Sequence, residues 1–247
     1  MANYEIFTDS SCDLSKEIVA QYGLKVMQLE VIIDEKPPVL NNQVETKSFY
    51  GSLRNGSNAK TSAVTPGFFE EHMRATLESG KDILYIGFSS GLSVTYNNGV
   101  MICEELKQEF PERKILYVDT TSGSGGEALM VYHAAKMKEQ GASMEEIKSE
   151  VEALRDYVHH QVTVEDLFFL KRGGRIDAKS AIVGTMLKIK PIINVDVNGK
   201  LKSVGKVRGR KSSITELVNR MKATIDPERF PYISVFHGDC PEEADVL

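Results

Sequence analysis

Three segments of this chain gather hydroxyls and small residues where a strand-like run gives way to a helix-like one. They are Thr8-Asp9-Ser10-Ser11, Ser89-Ser90-Gly91-Leu92-Ser93-Val94-Thr95 and Asp119-Thr120-Thr121-Ser122-Gly123-Ser124-Gly125-Gly126. Free backbone N–H groups and short hydroxyls at helix starts suit an anion such as a phosphate or a carboxylate. In an open parallel sheet, ligands bind beyond the carboxyl ends of the strands, where these segments fall. Ser, Thr and Asp are also good caps and turn formers, so one such loop says little. Three on one sheet edge point to a pocket.

Other constellations carry less. Gly123-x-Gly125-x-x-Ala128 matches a dinucleotide fingerprint as a bare pattern, but Asp119 to Ser122 separate the strand from the first glycine. The position about 20 residues on falls in a capped helix rather than at a strand end. A nucleotide-dependent enzyme built on the loop 123–126 therefore stands as an alternative reading. Of the five histidines, His72 and His133 lie on predicted helices and His159-His160 ends one. His237, in His237-Gly238-Asp239, is the best placed for a site. No Gly-x-Ser-x-Gly elbow supports a hydrolase, and no His-x-x-x-His or carboxylate cluster points to a metal. Cys12, Cys103 and Cys240 are an odd, widely spaced set without Cys-x-x-Cys, which reads as reduced thiols.

The charge is unevenly spread. The chain as a whole is −5, a poor start for general nucleic-acid binding. Residues 171–211 nevertheless hold 12 Lys plus Arg against 2 Asp plus Glu, or +10, and the remainder holds 18 against 33, or −15. Two basic segments dominate: Lys171-Arg172-Gly173-Gly174-Arg175 and Lys206-Val207-Arg208-Gly209-Arg210-Lys211. They form either a solvated face or a docking surface for an acidic partner or phosphorylated ligand. A nucleic-acid module lacks the aromatic interleaving that would support it.

The elements that must position these groups follow from periodicity and punctuation. Tyr4 to Phe7, Lys25 to Ile33, Ile83 to Phe88 and Lys114 to Val118 read as strands. Between them, helices are expected at Ser15 to Tyr22, Lys47 to Arg54, Thr65 to Gly80, Asn97 to Phe110 and Gly125 to Gln140. Thr65-Pro66 supplies an N-cap and a first-turn proline, and Ser143 to Glu146 is a capping box opening a helix that reaches about Val158. The segment 34–42, with Pro37-Pro38, reads as a loop. Strand and helix in alternation, with continuously apolar strands, predict a parallel sheet covered by helices on both faces. The pattern changes after residue 160. Val162 to Val164 is strand-like and Ala178 to Met186 helical. Ile192 to Val197 and Leu201 to Val207 flank Asn198-Gly199, a hairpin signal. A helix from Ser212 and a strand from Tyr232 to Phe236 complete the list. The expected class is α/β: a Rossmann-like parallel-sheet domain over 1–160, and a second α/β domain with a mixed or antiparallel sheet over 161–247.

The 247 residues are 41% hydrophobic and 26% charged, which excludes disordered, collagen-like and disulfide-scaffold classes. No apolar run approaches the roughly 20 residues that span a bilayer, and Met1 to Glu5 lacks the pattern of a signal peptide. A cytoplasmic protein without stable membrane insertion is the expectation.

Taken together, several of these segments resemble the DegV family of bacterial fatty-acid-binding proteins. They are Thr8-Asp9-Ser10-Ser11-Cys12-Asp13-Leu14, Lys60-Thr61-Ser62-Ala63-Val64-Thr65-Pro66, Ser89 to Tyr96, Asp166 to Ile176, Leu187-Lys188-Ile189-Lys190-Pro191-Ile192 and Lys206 to Lys211. They occur in the family's order and cover nearly the whole chain. The resemblance implies a carrier rather than an enzyme, enclosing one long-chain fatty acid between two α/β domains. It implies no cofactor, no metal and no nucleic acid. It also implies a partner: a separate fatty acid kinase subunit that phosphorylates the bound carboxylate for phospholipid synthesis. By the resemblance, Thr61 and Ser93 hold the carboxylate, with Ser62 beside the first. The basic residues Arg172, Arg175, Arg208 and Arg210 are the candidates for docking the kinase. Phe88, Leu92, Met186 and Ile189 are candidates for the wall of the acyl tunnel.

The chain departs from the family pattern in two places. Val94 stands where the family has Gly, which is expected to narrow the head-group site or shift lipid preference. The family's last segment carries a His-containing Gly-Pro-Gly loop that helps hold the carboxylate, and His237 is not its match. From this the sequence reading expects a second domain shortened at its C-terminus and a weaker hold on the ligand.

Overall fold

The structure is a computed structural model, and it describes residues 3–176, 188–229 and 231–247. The chain folds as two compact units, the first running to Arg155 and the second starting at Asp156.

The first unit is built on a four-stranded parallel sheet. Its strands are β1 (Tyr4–Asp9), β2 (Lys25–Met27), β6 (Asp82–Gly87) and β7 (Ile115–Asp119), in the order β2-β1-β6-β7. Every pairing is parallel, as expected from runs apolar on both faces. In β6 the alternation is direct. Ile83 and Tyr85 enter the core beneath α3 (Pro66–Glu78) and α4 (Thr95–Glu109), with Phe69, Met73, Ile102 and Leu106. Leu84 and Ile86 are equally buried on the other side of the pleat. That side is covered by α1 (Lys16–Tyr22), α5 (Gly125–Glu139) and α6 (Met144–Leu154). Burying one such Leu or Ile side chain is worth about 1.5–3 kcal/mol, so the apolar strands hold the sheet between its helix layers.

The local signals that set these helices are present as read. Thr65 Oγ1 accepts from the Phe68 N–H at 3.3 Å with Pro66 in the first turn. Ser143 and Glu146 form a reciprocal capping box. That helix ends at Leu154 rather than near Val158, with Arg155 as its C-cap.

The segment 25–33 is a correction to the single strand expected there. It divides at Gln28-Leu29: β2 joins the parallel sheet, and β3 (Glu30–Ile33) enters a separate antiparallel sheet of order β4-β3-β5. Its other strands are β4 (Val39–Leu40), inside what reads as a proline loop, and β5 (Ala59–Ser62), which carries Thr61. Val31 pairs with Thr61 and Glu30 with Ser62. A short helix α2 (Thr46–Arg54) lies between them in sequence, capped by the Glu45 carboxylate on the N–H groups of Lys47 and Ser48.

The second unit holds the hairpin β8 (Ile189–Val195) and β9 (Leu201–Arg208), antiparallel with a bulge at Ile192/Ile193. Asp196 closes its turn by accepting from Asn198 and Lys200 N–H, and Gly199 takes φ +69. This is the left-handed conformation for which the Asn-Gly pair was read. Val162 makes an antiparallel bridge to Ile193, and Leu167, Ile176 and Ile193 form a small core. The other elements are α7 (Phe168–Arg172), α8 (Arg210–Thr224) and α9 (Pro241–Ala244). The strand expected at Tyr232 to Phe236 does not form. That segment pairs with no other strand among the described residues, and Ile233 and Val235 are 58% and 48% exposed. The helix expected at Ala178 to Met186 lies outside the described residues.

Candidate functional site

The strand order places a topological switch point between β1 and β6, where the chain departs in opposite directions. The three hydroxyl-rich loops meet at this edge. Ser124 N–H donates to the Ser11 carbonyl at 2.8 Å, and Ser89 N–H donates to the Ser122 carbonyl at 2.9 Å. The loops are thus brought together as the sequence reading expected.

Their backbone donors are largely occupied by the chain's own carboxylates. Asp9, wholly buried, accepts from Ser11 N–H at 3.1 Å and from Phe88 N–H at 3.0 Å. Asp119 accepts from Thr121 N–H at 2.7 Å and from Ser90 N–H at 3.3 Å. A third carboxylate, Glu127 in the first turn of α5, is wholly buried and accepts from the Thr8 hydroxyl at 3.1 Å. Burial, then the neighbouring Asp9, pushes the Glu127 carboxyl well above its ordinary range. Burial also raises Asp9, against the hydrogen bonds from Phe88 and Ser11.

The glycine-rich loop has a packing explanation. A Cβ on Gly123 would meet the Phe88 ring at 2.3 Å, so the first glycine lets an aromatic side chain lie against backbone. This weighs against the nucleotide alternative for 123–126.

The hydroxyls of the candidate site come from two segments, the strand β5 and the loop before α4. Ser93 is half-buried, Ser62 half-buried and Thr61 exposed. The β5 segment is tied to the Ser93 loop through Val64, two residues beyond Ser62. Val64 N–H donates to Thr95 Oγ1 at 3.3 Å, and the Val64 carbonyl accepts from Asn98 Nδ2 at 2.8 Å. The Thr95 and Ser93 hydroxyls are 3.0 Å apart, and Thr95 N–H donates to Ser93 Oγ at 3.1 Å. Thr95 is completely buried. The sequence reading has Thr95 in its hydroxyl-rich loop but not as the partner of Val64, and it missed Asn98, whose only signal was its place in the first turn of the helix that follows. Val94, between Ser93 and Thr95, is 59% exposed.

Among the other sequence candidates, Phe88 and Leu92 are half-buried, and Ile189 is half-buried at the start of β8. Met186 lies outside the described residues. His72 is fixed by its own helix, with Nδ1 at 2.9 Å from the Phe68 carbonyl and its ring stacked on Phe68. His237 Nδ1 accepts from Cys240 N–H.

The basic residues differ from one another. Arg172, Arg175 and Arg208 are exposed. Arg210 is paired: its Nε and Nη2 lie 2.8 and 2.6 Å from Glu243 Oε2, which fastens α9 to the start of α8. Lys190, in β8, is buried and paired with Glu165. No group of three or more metal-ligating side chains occurs among the described residues, and no described helix is long and apolar enough to cross a membrane.

Comparison with known proteins agrees with this architecture. The family model described as "Uncharacterised protein, DegV family" matches residues 3–247. A DegV domain-containing protein of Clostridium perfringens (strain 13 / Type A) is 37% identical over 249 residues, covering 100% of this chain and 86% of its own length. Two solved structures superpose closely. One is a fatty-acid-binding DegV family protein from Thermus thermophilus, 30% identical with a TM-score of 0.79, matched over 90% of this chain and 77% of that one. The other is DegV, a fatty acid binding protein from Bacillus subtilis, 25% identical with a TM-score of 0.77, matched over 90% and 78%. By sequence, by the order of its motifs and by its fold, this chain belongs to the DegV family.

Proposed function

We propose that this protein is a fatty-acid carrier that holds the carboxylate of one long-chain fatty acid through the hydroxyls of Thr61, Ser62 and Ser93. The observation that carries this reading is the Val64–Thr95–Ser93 tether. It ties the segment that follows Thr61 and Ser62 to the Ser93 loop, next to a sheet edge where Asp9 and Asp119 accept from the N–H groups of Ser11, Phe88, Ser90 and Thr121, and so supports a site shared by the three hydroxyls. Neutral hydroxyls suit a carboxylate that must be held without being consumed, since an ionised head group taken out of water needs hydrogen bonds. Each hydrogen bond to a charged group is worth about 1.5–3 kcal/mol. The acyl chain supplies more: at about 0.8 kcal/mol per buried methylene, a chain of about 16 carbons gains on the order of 10 kcal/mol before ordering costs. The fatty-acid-binding relatives from Thermus thermophilus and Bacillus subtilis support the same ligand class.

The carrier role extends to presentation of the bound carboxylate to a separate fatty acid kinase subunit, in the cytoplasm, with the phosphoryl chemistry done by that partner. The exposure of Arg172, Arg175 and Arg208 is compatible with such docking.

Native mass spectrometry of the purified protein, followed by solvent extraction, tests the ligand. A mass increment equal to one fatty acid is expected, released on extraction. A bare chain that takes up neither oleate nor palmitate overturns the reading.

A further inference from the structure

The hydroxyl chain behind Ser93 has a direction, and the direction fixes what Ser93 offers a ligand. Thr95 Oγ1 accepts from the Val64 N–H at 3.3 Å. A backbone N–H can only donate, so this end of the chain is fixed. The next contact, Ser93 Oγ to Thr95 Oγ1 at 3.0 Å, allows either hydroxyl to donate. Thr95 is wholly buried, and among the described residues its hydroxyl proton has no acceptor other than Ser93 Oγ. If Ser93 donated to Thr95, that proton would be left unpaired out of water, which is unfavourable. The Thr95 hydroxyl therefore donates to Ser93. Ser93 Oγ also accepts from the Thr95 N–H at 3.1 Å. With both lone pairs engaged, Ser93 has only its own proton left to offer.

We propose that Thr95 is a positioning residue that sets Ser93 as an obligate hydrogen-bond donor, the one role that a carboxylate oxygen, which only accepts, can use. The inference rests on the fatty-acid reading and deepens it. It gives the Val64 tether a second role: the same N–H that anchors the β5 segment also orients the Ser93 proton two bonds away. Asn98, which holds the other side of Val64 at 2.8 Å, belongs to the tether but not to the hydroxyl chain.

The test compares oleate with oleyl alcohol by calorimetry. The two share an acyl chain, but the alcohol can donate or accept and so is satisfied by either orientation of Ser93. Thr95→Val keeps the shape and removes the hydroxyl. Because it also removes the acceptor of the Val64 N–H, it is expected to weaken both ligands through the tether, and to weaken oleate by several-fold more than oleyl alcohol, because the Ser93 proton is no longer held toward the ligand. Thr95→Ser is expected to restore oleate binding. In a Ser93→Ala background, Thr95→Val is expected to affect the two ligands alike, because only the tether is then left to lose. Asn98→Ala is expected to shift both ligands alike. If Thr95→Val does not fold, Thr95→Cys carries the same prediction, because a thiol is a poor relay. Equal losses for the two ligands on Thr95→Val, a difference between them that persists in the Ser93→Ala background, or failure of Thr95→Ser to restore binding would each overturn the inference while leaving the carrier reading in place. Absence of oleate binding by the unaltered protein overturns both.

Discussion

The Thr8 hydroxyl donates to Glu127 Oε1 at 3.1 Å across 119 residues of sequence, and both side chains are wholly buried. Glu127 thus sits beside Asp9 in a place that favours its protonated form, with Asp13 and Asp119 adding to the effect. An unfolded Glu releases its proton near pH 4.3, whereas the folded state keeps it to a higher pH. Between those points the native state binds the extra proton, so stability falls as pH rises. Glu127→Gln keeps an acceptor for Thr8 and removes the titration. Urea midpoints of the two proteins should diverge as pH rises above about 4.3, the variant gaining on the parent. A gap that does not change with pH would remove Glu127 as a buried proton carrier.

Gly99 illustrates how packing reverses a local preference. In a helix interior, Gly to Ala ordinarily stabilises by about 1 kcal/mol. On α4, however, a Cβ at Gly99 would meet Tyr85 Cε1 at 2.5 Å and Phe69 Cζ at 3.1 Å, both rings being fully buried. Neither ring has room to retreat in a core of native density. Gly99→Ala should therefore destabilise the protein by about 1–3 kcal/mol, read as a lower urea midpoint at unchanged slope. Gly51, near the end of α2 with open space around it, should show the ordinary stabilising sign.

These two sites also mark how far the sequence could be read. The parallel sheet was legible because β1, β6 and β7 are apolar on both faces and each precedes a capped or glycine-bounded helix. The antiparallel sheet was not. Ala59-Lys60-Thr61-Ser62 has no strand-like pattern of its own, and it is a strand because Val31 and Glu30 pair with it. For the same reason the apolar run 25–33 reads as one strand: nothing local says that its halves belong to different sheets. In the candidate site, residue types were readable but tertiary bonds were not. Thr95 and Asn98 look like ordinary first-turn residues until Val64 is seen between them. Arg208 and Arg210 are alike in sequence, and only the position of Glu243 separates them.

That separation is itself testable. Arg208 ends β9 exposed, while Arg210 joins α8 to α9 through Glu243. The pair is partly exposed, so its loss should cost about 0.5–1 kcal/mol. Arg210→Ala should lower the urea midpoint and expose the 241–244 turn to proteolysis, and Glu243→Ala should do the same. Arg208→Glu should leave stability within about 0.5 kcal/mol and oleate affinity unchanged, yet reduce acyl-phosphate formation when a fatty acid kinase subunit and ATP are supplied. Equal activity of Arg208→Glu and the parent over a range of kinase concentrations would remove Arg208 from the docking face.

The candidate head-group residues predict a graded series. Ser93 is held by two bonds from Thr95 and its position is fixed before any ligand arrives, so little ordering is needed when it binds. Thr61 is exposed on β5 and Ser62 is half-buried beside it, so they rely on the β3 pairing for their placement. Ser93→Ala should therefore weaken oleate by about tenfold or more, since a bond to a charged group is lost from a prepared site. Thr61→Ala should weaken oleate as well, and Thr61→Ser should recover most of the loss because the hydroxyl is kept. Ser62→Ala should have the smallest effect of the three. Titration of each variant with oleate, with midpoints of urea unfolding to confirm an intact fold, reads the order directly. Unchanged affinity in both Ser93→Ala and Thr61→Ala would place the carboxylate elsewhere on the sheet edge.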